Sequence, residues 1–538
     1  MELGSVYLKK NGFMGMITQH SWMFLSSYKR LRKRVINNCT IYNMVHLGPH
    51  AFEEIAGEVV QSVSFLFRNI NILDYKGTYI RLVDWENPKE KEEKLLRTTE
   101  NLNIKHVYTT KTKEFTKIPG IPIAYWANPN LIEAFEKGKP MNFIIEPKVG
   151  LQSGDNNRFL RLWYEVKFSM VNFQSESIRD SLSSKAKWFP YNKGGARRQW
   201  YGNYDYVVNW ENDGFEIRNF KDAGGKVRFR PQNTDYYFRG AITWSLITNG
   251  GFSIRYRETG NIHDVAGMSA FINDHDKLMY LLGLMSTKIS NYVFKLLNPT
   301  INLQVGDFNN FPVLFIEYKP IIKLVKTNID ISKQEWHSFE TSWDFKTQPF
   351  LKHLDLGENH KLSNIFTIWE TETEEAFNQL KANEEELNRI FIEIYGLQDE
   401  LTPKVEDKDI TISKAARERD IKSFISYAVG CMFGRCSLDE DSLIYAGGDF
   451  GDKFRFKNGC WEIKTEKGRK KSSIDIAEHN VIPIADGNYF EDDALERFVN
   501  FIELSFGKET LEENLEYIAE TLGKKANETS RQAIRKYF

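Results

Sequence analysis

The sequence has few of the features that would identify a protein class at once. Its 538 residues contain only four cysteines, which are too few for a disulfide scaffold and are typical of a reducing compartment: Cys39, Cys431, Cys436 and Cys460. No apolar run approaches the roughly 18 residues needed to cross a bilayer, and the start lacks the apolar stretch of a signal peptide. These absences predict a cytoplasmic protein with free thiols and no membrane contact.

Neither sign of charge is in excess, because 72 Lys and Arg residues balance 73 Asp and Glu residues. A globally basic protein is therefore excluded, although a local basic patch is not. The balance also hides two segments of opposite sign. Residues 181–260 contain 13 basic and 7 acidic residues, whereas residues 371–450 contain 9 basic and 18 acidic residues.

A chain of 538 residues is long enough for about three or four domains. Apolar runs predict strands at 12–18, 40–47 and 59–67, with a helix from Ser26 or Ser27 to Ile36. A strand-helix-strand unit indicates a parallel sheet that is covered on both faces. Three strands and one helix cannot close a core alone, so residues 1–70 are expected to be one edge of a larger α/β domain.

The rest of the chain predicts four further segments. Residues 71–145 are a polar connector, and 146–315 are a β-rich domain that closes with a helix over 278–297. Residues 316–365 are a linker. In 366–538, the helical spacing of Phe377, Leu387 and Ile394, with Gly396 as a C-terminal cap, predicts a mainly helical region. The predicted fold class is α/β plus α+β, and the acidic helical region is expected to contact proteins rather than DNA.

Residues 181–260 are aromatic as well as basic. They contain 17 aromatic residues in 80 positions, and Lys193, Arg197 and Arg198 lie close to Tyr191 and Trp200. Basic side chains neutralise phosphates, and aromatic rings stack on unpaired bases, so the pattern is typical of nucleic-acid binding. A β domain with an aromatic core and a solvated basic face has the same composition, and composition alone leaves both interpretations open.

Three strings of residues carry a resemblance to a known family. They lie at 150–161, 187–195 and 230–237, with shorter ones at 242–245, 297–300, 304–307 and 381–389. Together they resemble the BREX phage-defence adenine-specific DNA methyltransferases over nearly the whole chain. The resemblance implies transfer of a methyl group from S-adenosylmethionine to the exocyclic nitrogen of adenine at a specific DNA site, as a mark of self.

Two motifs of that family are missing. The family has a glycine-rich cofactor loop after its first strand and an Asn-Pro-Pro-Tyr type motif that holds the adenine amino group. None of the 15 prolines here is followed by a proline, and no glycine cluster lies in an N-terminal strand-to-helix turn. The resemblance aligns 12–22 and 58–67 with later strands, which makes residues 1–70 the back edge of a Rossmann-like methyltransferase sheet. It implies a chain truncated at both ends that neither binds S-adenosylmethionine nor catalyses transfer alone.

The resemblance also assigns candidate site residues. Phe52, in the segment 50–54, matches the region where related enzymes place an aromatic ring against the flipped adenine, but a loop phenylalanine is as often part of a core. Residues 146–315 become the target-recognition domain. Seven basic residues are predicted to contact double-stranded DNA: Arg158, Arg161, Lys193, Arg197, Arg198, Arg228 and Arg230. Further expected partners are a complementing N-terminal methyltransferase fragment and other phage-defence proteins.

Two alternatives remain at this point. One is a DNA-binding specificity module without catalysis. The other is a metal-dependent nuclease, because Glu462 and Lys464 have the acid-x-lysine form and Asp449 or Asp452 could be an upstream ligand. Cys431 and Cys436 lack a second ligand pair at useful spacing, so no metal site is predicted.

Overall fold

A computed structural model describes residues 1–52, 60–246, 251–298, 303–316, 319–354, 360–446, 449–487 and 489–538. It is a mixed α/β structure with several sheets and helices, which confirms the fold class at that level. The helices are α1 Glu2–Tyr7, α2 Lys29–Asn38, α3 Pro88–Glu100, α4 Pro129–Lys137, α5 Asn156–Phe159, α6 Ile178–Ser183, α7 Glu211–Arg218, α8 His275–Met285, α9 Lys288–Leu297, α10 Val305–Asn309, α11 Lys319–His337, α12 Pro349–Lys352, α13 Leu362–Ile394, α14 Arg417–Met432, α15 Ala494–Phe506, α16 Leu511–Thr521 and α17 Ser530–Tyr537.

The strands form five sheets among the described residues. They are β1 Phe13–Gln19, β2 Thr40–Gly48, β3 Ser62–Arg68, β4 Lys76–Arg81, β5 Val107–Lys111, β6 Lys139–Pro140, β7 Glu146–Lys148, β8 Leu160–Leu162, β9 Trp188–Asn192, β10 Tyr206–Asn209, β11 Ala241–Ser245, β12 Ile254–Arg257, β13 Ile262–His263, β14 Gly267–Phe271, β15 Pro312–Val313, β16 Phe454–Lys457, β17 Cys460–Thr465 and β18 Gly468–Lys471. No helix in the described part of the chain is long and apolar enough to cross a membrane.

The first sheet has the strand order β1-β3-β2-β4-β5. The three strands and the helix predicted in residues 1–70 are confirmed, but the predicted parallel sheet is wrong. Strand β3 lies between β1 and β2 and runs antiparallel to both, whereas β2 and β4 are parallel. Strands β1 and β2 therefore run in the same direction, but they do not pair because β3 lies between them.

Residues 71–145 do more than connect. They supply β4 and β5 to the first sheet, and the charged stretch near 87–94 begins helix α3. Asn87 caps this helix by accepting a hydrogen bond from the backbone of Glu90 at 2.8 Å. Lys91 is buried, and its Nζ donates to the carbonyl oxygens of Leu47 at 2.5 Å and Leu82 at 3.0 Å. The helix is therefore anchored to the ends of two strands.

Residues 146–315 contain two four-stranded sheets, with orders β13-β9-β10-β8 and β12-β11-β14-β7, together with the helices α5 to α10. The single helix predicted at 278–297 is two helices, α8 and α9, separated at Ser286 and Thr287. The break has a local cause, because the Thr287 hydroxyl donates to the carbonyl of Leu284 at 2.6 Å and turns the chain. Pro299, predicted to stop this helix, and Gly250 lie outside the described residues.

The predicted amphipathic helix is confirmed as α13, and Gly396 after it has a left-handed φ of +62°. The C-terminal region is mainly helical, but it also contains the three-stranded antiparallel sheet β16-β17-β18. The largest apolar core cluster extends from Ile118 to Ile412, and a second one extends from Phe345 to Ile534. Since the first cluster includes residues from four of the five predicted segments, the domain boundaries stay a prediction.

Candidate functional site

The carboxyl ends of β1 and β2 lie at the same edge of the first sheet, which is where open α/β sheets bind ligands. His20 directly follows β1, and Phe52 lies four residues after β2. The Phe52 side chain is 42% exposed, and the chain reaches it through His50, whose φ of +51° turns the backbone. Phe52 is therefore not a core side chain in this structure. Residues 53–59, which include the other half of its segment, lie outside the described residues.

A hydrogen-bonded chain of three side chains occupies this edge. Nδ1 of His20 lies 2.8 Å from Nε2 of His46, and Nδ1 of His46 lies 3.0 Å from the hydroxyl of Tyr125. Burial raises the pKa of the Tyr125 hydroxyl, and the positive charge of Arg81 opposes this rise.

Both histidines are neutral at pH 7. Burial lowers the pKa of His20 to about 4. Burial also lowers the pKa of His46 well below its usual value, and the neighbouring His20, Arg81 and Lys91 lower it further. The edge thus presents uncharged imidazole rather than a cation. Sequence reasoning did not single out these residues, because His20, His46 and Tyr125 are far apart in the chain and belong to no motif.

A cavity beside the first sheet lies at the amino ends of β1 and β2, the edge opposite to His20 and Phe52. This cavity has a volume of about 400 Å³ and is lined by Lys10, Arg34 and Asn38, with apolar neighbours that include Met14. The turn after β1 is a 3-10 turn over His20–Met23 that contains no glycine.

Two of the seven predicted DNA contacts, Arg197 and Arg198, face other parts of the protein. Arg198 is only 14% exposed, forms an ion pair with Glu335 on α11, and donates from Nε to the carbonyl of Tyr201 at 2.8 Å. Arg197 is 24% exposed, and its Nη1 donates to the carbonyl of Asp409 at 3.1 Å. Both guanidinium groups join residues 146–315 to the helical part of the chain.

Three further predicted residues are held by nearby groups of their own segment. Arg158 donates two hydrogen bonds to Glu216, at 3.1 and 3.0 Å. Arg228 pairs with Asp222 at 2.5 Å, and Arg161 donates to main-chain carbonyls of residues 157 and 160. The guanidiniums of Arg158 and Arg228 remain about half exposed, at 52% and 55%. These two are accessible to a ligand, although a carboxylate already neutralises each of them.

The last two predicted residues have no carboxylate within 4 Å among the described residues. Lys193 lies with its Nζ 4.4 Å from the centre of the Tyr206 ring. Arg230 is exposed and follows the turn at Gly224 and Gly225, where Lys221 pairs with Val227 as an isolated bridge. We call residues 221–230 the basic hairpin, because it carries four exposed cations: Lys221, Lys226, Arg228 and Arg230.

A buried contact that sequence reasoning missed holds this part of the molecule in place. The indole Nε1 of Trp200 donates to Oε1 of Glu384 on α13 at 2.7 Å. Both residues are buried, and burial raises the pKa of Glu384 to about 7 despite the opposing effects of the Trp200 hydrogen bond and of Arg197. No signal in the sequence predicts a pair that is separated by 184 positions.

The nuclease alternative receives no support from its predicted strand. Glu462 pairs with Arg455 across the sheet at 2.7 Å, and this contact holds the pKa of the carboxyl below its usual range. The described residues contain no group of three or more His, Cys, Asp or Glu that could hold a metal ion. The four cysteines are free thiols, and all except Cys460 are buried.

Two curated proteins are similar to this chain along almost its full length. The adenine-specific methyltransferase PglX of Lacticaseibacillus casei (strain Zhang) is 42% identical over 537 residues, and BrxX of Escherichia coli O9:H4 (strain HS) is 34% identical over 555. These alignments cover 98% and 99% of this chain. The resemblance to the BREX adenine-specific methyltransferases is confirmed. In addition, residues 1–52 match the family of the Eco57I restriction-modification methylase.

The chain spans 43% of the length of each of these BREX methyltransferases. Solved structures with a weaker likeness include the Type IIL restriction-modification enzyme MmeI in complex with DNA, with a TM-score of 0.40 and 11% identity over 74% of this chain and 49% of that one. Another is the Type ISP enzyme LlaBIII bound to DNA, with a TM-score of 0.32 and 13% identity over 61% of this chain and 25% of that one.

Proposed function

We propose that this chain supplies DNA target recognition for an adenine-N6 methyltransferase and that methyl transfer needs residues it does not contain. The observation that carries the proposal is the similarity of 98% of the chain to a named adenine-specific methyltransferase, in a sequence without a Pro-Pro pair. The family implies S-adenosylmethionine as methyl donor, and the residues that bind it are proposed to lie outside this chain. The self/non-self mark of phage defence is part of this proposal.

The first sheet supports the proposed need for a complementing part. Strand β1 pairs with β3 on one side, and within the described residues its other edge is free. Apolar side chains are exposed on this strand and on the helix before it, including Phe13 at 50%, Ile17 at 58% and Leu3 at 73%. An unpaired edge with exposed apolar groups is a docking surface for further strands. We propose that residues 1–70 are the back edge of a methyltransferase sheet and that an N-terminal methyltransferase fragment pairs with β1.

The basic hairpin is the proposed main DNA contact in residues 146–315. Its cations project from a turn rather than from the body of the sheet, and Arg230 is free to form bidentate hydrogen bonds with guanine or with phosphate. Lys193, Arg158 and Arg161 are proposed as additional contacts. Arg197 and Arg198, by contrast, are proposed to act indirectly, because their donors are already used within the protein.

A comparison of two double variants tests this assignment. Arg228→Glu with Arg230→Glu should weaken binding to a duplex target and lower the slope of log K against log salt by about 2, with only a small loss of thermal stability because the Arg228–Asp222 pair is exposed. Arg197→Glu with Arg198→Glu should lower the unfolding temperature, because each glutamate would face Asp409 or Glu335. Equal DNA binding by the hairpin variant and the wild type would contradict the assignment.

Cofactor binding distinguishes the proposal from its alternative, a specificity module with no catalytic partner. Titration calorimetry of the purified chain with S-adenosylmethionine should show no micromolar binding. Addition of an N-terminal fragment from a BREX methyltransferase should restore both cofactor binding and methylation of adenine. Cofactor binding by the chain alone would contradict the proposed division, and a fragment that binds the chain without restoring methylation would favour the specificity module.

A further inference from the structure

The small sheet β16-β17-β18 carries a local excess of positive charge within a region that is acidic on average. Residues 453–471 contain eight basic residues and two acidic ones, directly after a segment with twice as many acids as bases. The strands are short and antiparallel, with Phe454 opposite Ile463 and Lys464 opposite Arg469. The sequence predicted a strand here only for the nuclease alternative, and no part of the proposed methyltransferase function uses this sheet.

The two faces of the sheet differ sharply. Phe454 and Ile463 point to one face and are buried against Ile444 and Ile476. Side chains alternate along a strand, so the neighbouring residues point to the other face. We call that surface the basic face, and its basic residues are Arg455, Lys457, Lys464, Arg469 and Lys471. Glu462 is the single carboxylate among the strand residues of this face, so the face has a net charge of about +4.

Most of this charge is not neutralised within the protein. Arg455 pairs with Glu462, and Arg469 donates to the main-chain carbonyls of Gly451 at 3.2 Å and Asp452 at 3.3 Å. The remaining members are three exposed lysines whose side-chain ammonium groups have no hydrogen bond or ion pair to any described residue: Lys457, Lys464 and Lys471. Five cations on three short strands repel one another, and a polyanion would relieve that repulsion.

We propose that the basic face binds the phosphate backbone of duplex DNA without reading its sequence. The choice of DNA as the polyanion rests on the proposed function. The charge of the basic face, in contrast, does not depend on that function. Alternate residues of a strand are about 7 Å apart and neighbouring strands about 5 Å apart, which is the scale of the phosphate spacing in a duplex. The unpaired members are lysines, which act as point charges on phosphate, rather than arginines, which also read guanine edges.

The position of the sheet supports the same partner. Just before it, the carbonyl of Ala446 accepts a hydrogen bond at 2.9 Å from the backbone of Phe168, which lies in the predicted recognition domain. Nearby, the guanidinium of Arg435 lies 5.7 Å from the centre of the Trp163 ring. The chain that leads into the sheet is therefore packed on the segment that is proposed to recognise DNA. A duplex on the basic face would extend the contact beyond the recognised site.

Charge reversal on the basic face tests the proposal. The triple variant Lys457→Glu, Lys464→Glu and Lys471→Glu of the full chain is titrated with a 30-base-pair duplex of random sequence at several salt concentrations. Loss of three phosphate contacts should lower the slope of log K against log salt by about 2.7. The ratio of the wild-type to the variant binding constant should then fall about 40-fold between 50 and 200 mM salt. The matched control reverses three exposed lysines on another surface: Lys295, Lys323 and Lys326.

Each outcome decides between defined alternatives. An unchanged salt slope in the triple variant overturns the proposal. An equal decrease of the slope in the control variant also overturns it, because DNA binding would then depend only on the net charge of the protein. If the triple variant aggregates but binds DNA normally, the lysines protect sheet edges instead. If polyglutamate, and not DNA, binds the wild type better than the variant, the face recognises an acidic polypeptide. If the hairpin variant loses DNA affinity and the triple variant does not, only the proposal for the basic face is refuted. If the triple variant loses DNA affinity and the hairpin variant does not, only the target-recognition proposal is refuted.

Discussion

The buried contact between Glu384 and Trp200 gives a pH dependence that can be measured. Glu384→Gln removes the ionisable group and keeps a carbonyl oxygen that can accept the Trp200 hydrogen bond, which is 2.7 Å long in the native protein. The substitution therefore tests the charge rather than the contact. Because Trp200 closely follows Arg197 and Arg198, the same contact controls how the predicted recognition segment is held against α13.

The size of the effect follows from the pKa of the buried carboxyl. Its value rises from 4.5 to about 7 in the folded protein. A tenfold change in proton affinity corresponds to about 1.4 kcal/mol, so the full effect is about 3 kcal/mol. The sign follows from proton binding: between pH 4.5 and 7 the native state holds a proton that the unfolded state has released. The free energy of unfolding therefore decreases as the pH rises through this window and stays lower above it.

Urea unfolding at pH 4.5 and pH 8, followed by tryptophan fluorescence, measures this effect. Relative to the wild type, Glu384→Gln should become more stable by up to about 3 kcal/mol when the pH is raised. Contributions of all other titrating groups cancel in the difference between the two proteins. Glu375→Gln is the matched control, because Glu375 is exposed on the same helix, and its difference from the wild type should not change with pH. A pH-independent difference for Glu384→Gln would refute the reasoning.

Three further substitutions test other parts of the structure. Arg32→Met should cost about 3 kcal/mol in urea unfolding, because buried Arg32 donates to four main-chain carbonyls that would lose their partner, whereas exposed Arg30→Met should cost little. Gly150→Ala should lower the unfolding temperature, because its Cβ would lie 1.9 Å from the carbonyl oxygen of His263, while Gly306→Ala meets no atom within 4 Å. His46→Gln should make the protein less sensitive to acid below pH 6.5, where the unfolded state binds a proton that the buried imidazole resists. Stability measured at pH 7 and pH 5 checks the last of these, and an unchanged acid sensitivity would contradict it.

Local patterns in the sequence were sufficient for individual elements. The apolar runs at 12–18 and 40–47 are strands, and the spacing that ends at Gly396 is a helix with a left-handed cap. The pairing of strands was not predictable in the same way. Strand β3 enters between β1 and β2, and nothing in the apolar pattern of β3 specifies its neighbours. Register and order depend on contacts between residues that are distant in the chain.

The candidate DNA contacts show the same limit. Composition identified residues 181–260 as basic, but it could not show which cations are already neutralised. Arg198 reaches Glu335, which lies 137 positions away, so its charge is used inside the protein. The basic face lies outside both charged segments, because the acidic segment 371–450 ends just before β16 begins. Charge summed over a long window records neither pairing nor the face on which a side chain lies.

The distribution of free charge leads to a division of roles between the two basic surfaces. In residues 146–315, carboxylates lie within 4 Å of the side chains of Arg158, Arg197, Arg198 and Arg228. The side chains of Arg230 and Lys193 are the predicted contacts there with neither a carboxylate nor a main-chain carbonyl as partner among the described residues. The basic face has three unpaired lysines on one small sheet. Salt dependence reports the number of phosphates contacted, whereas discrimination between sequences reports contacts to base edges. We therefore expect reversal of the lysines of the basic face to lower the salt slope without changing the ratio of affinities for target and non-target duplexes. Reversal of Arg230 should lower that ratio with a smaller change in slope, and a basic-face variant that loses discrimination would contradict the division.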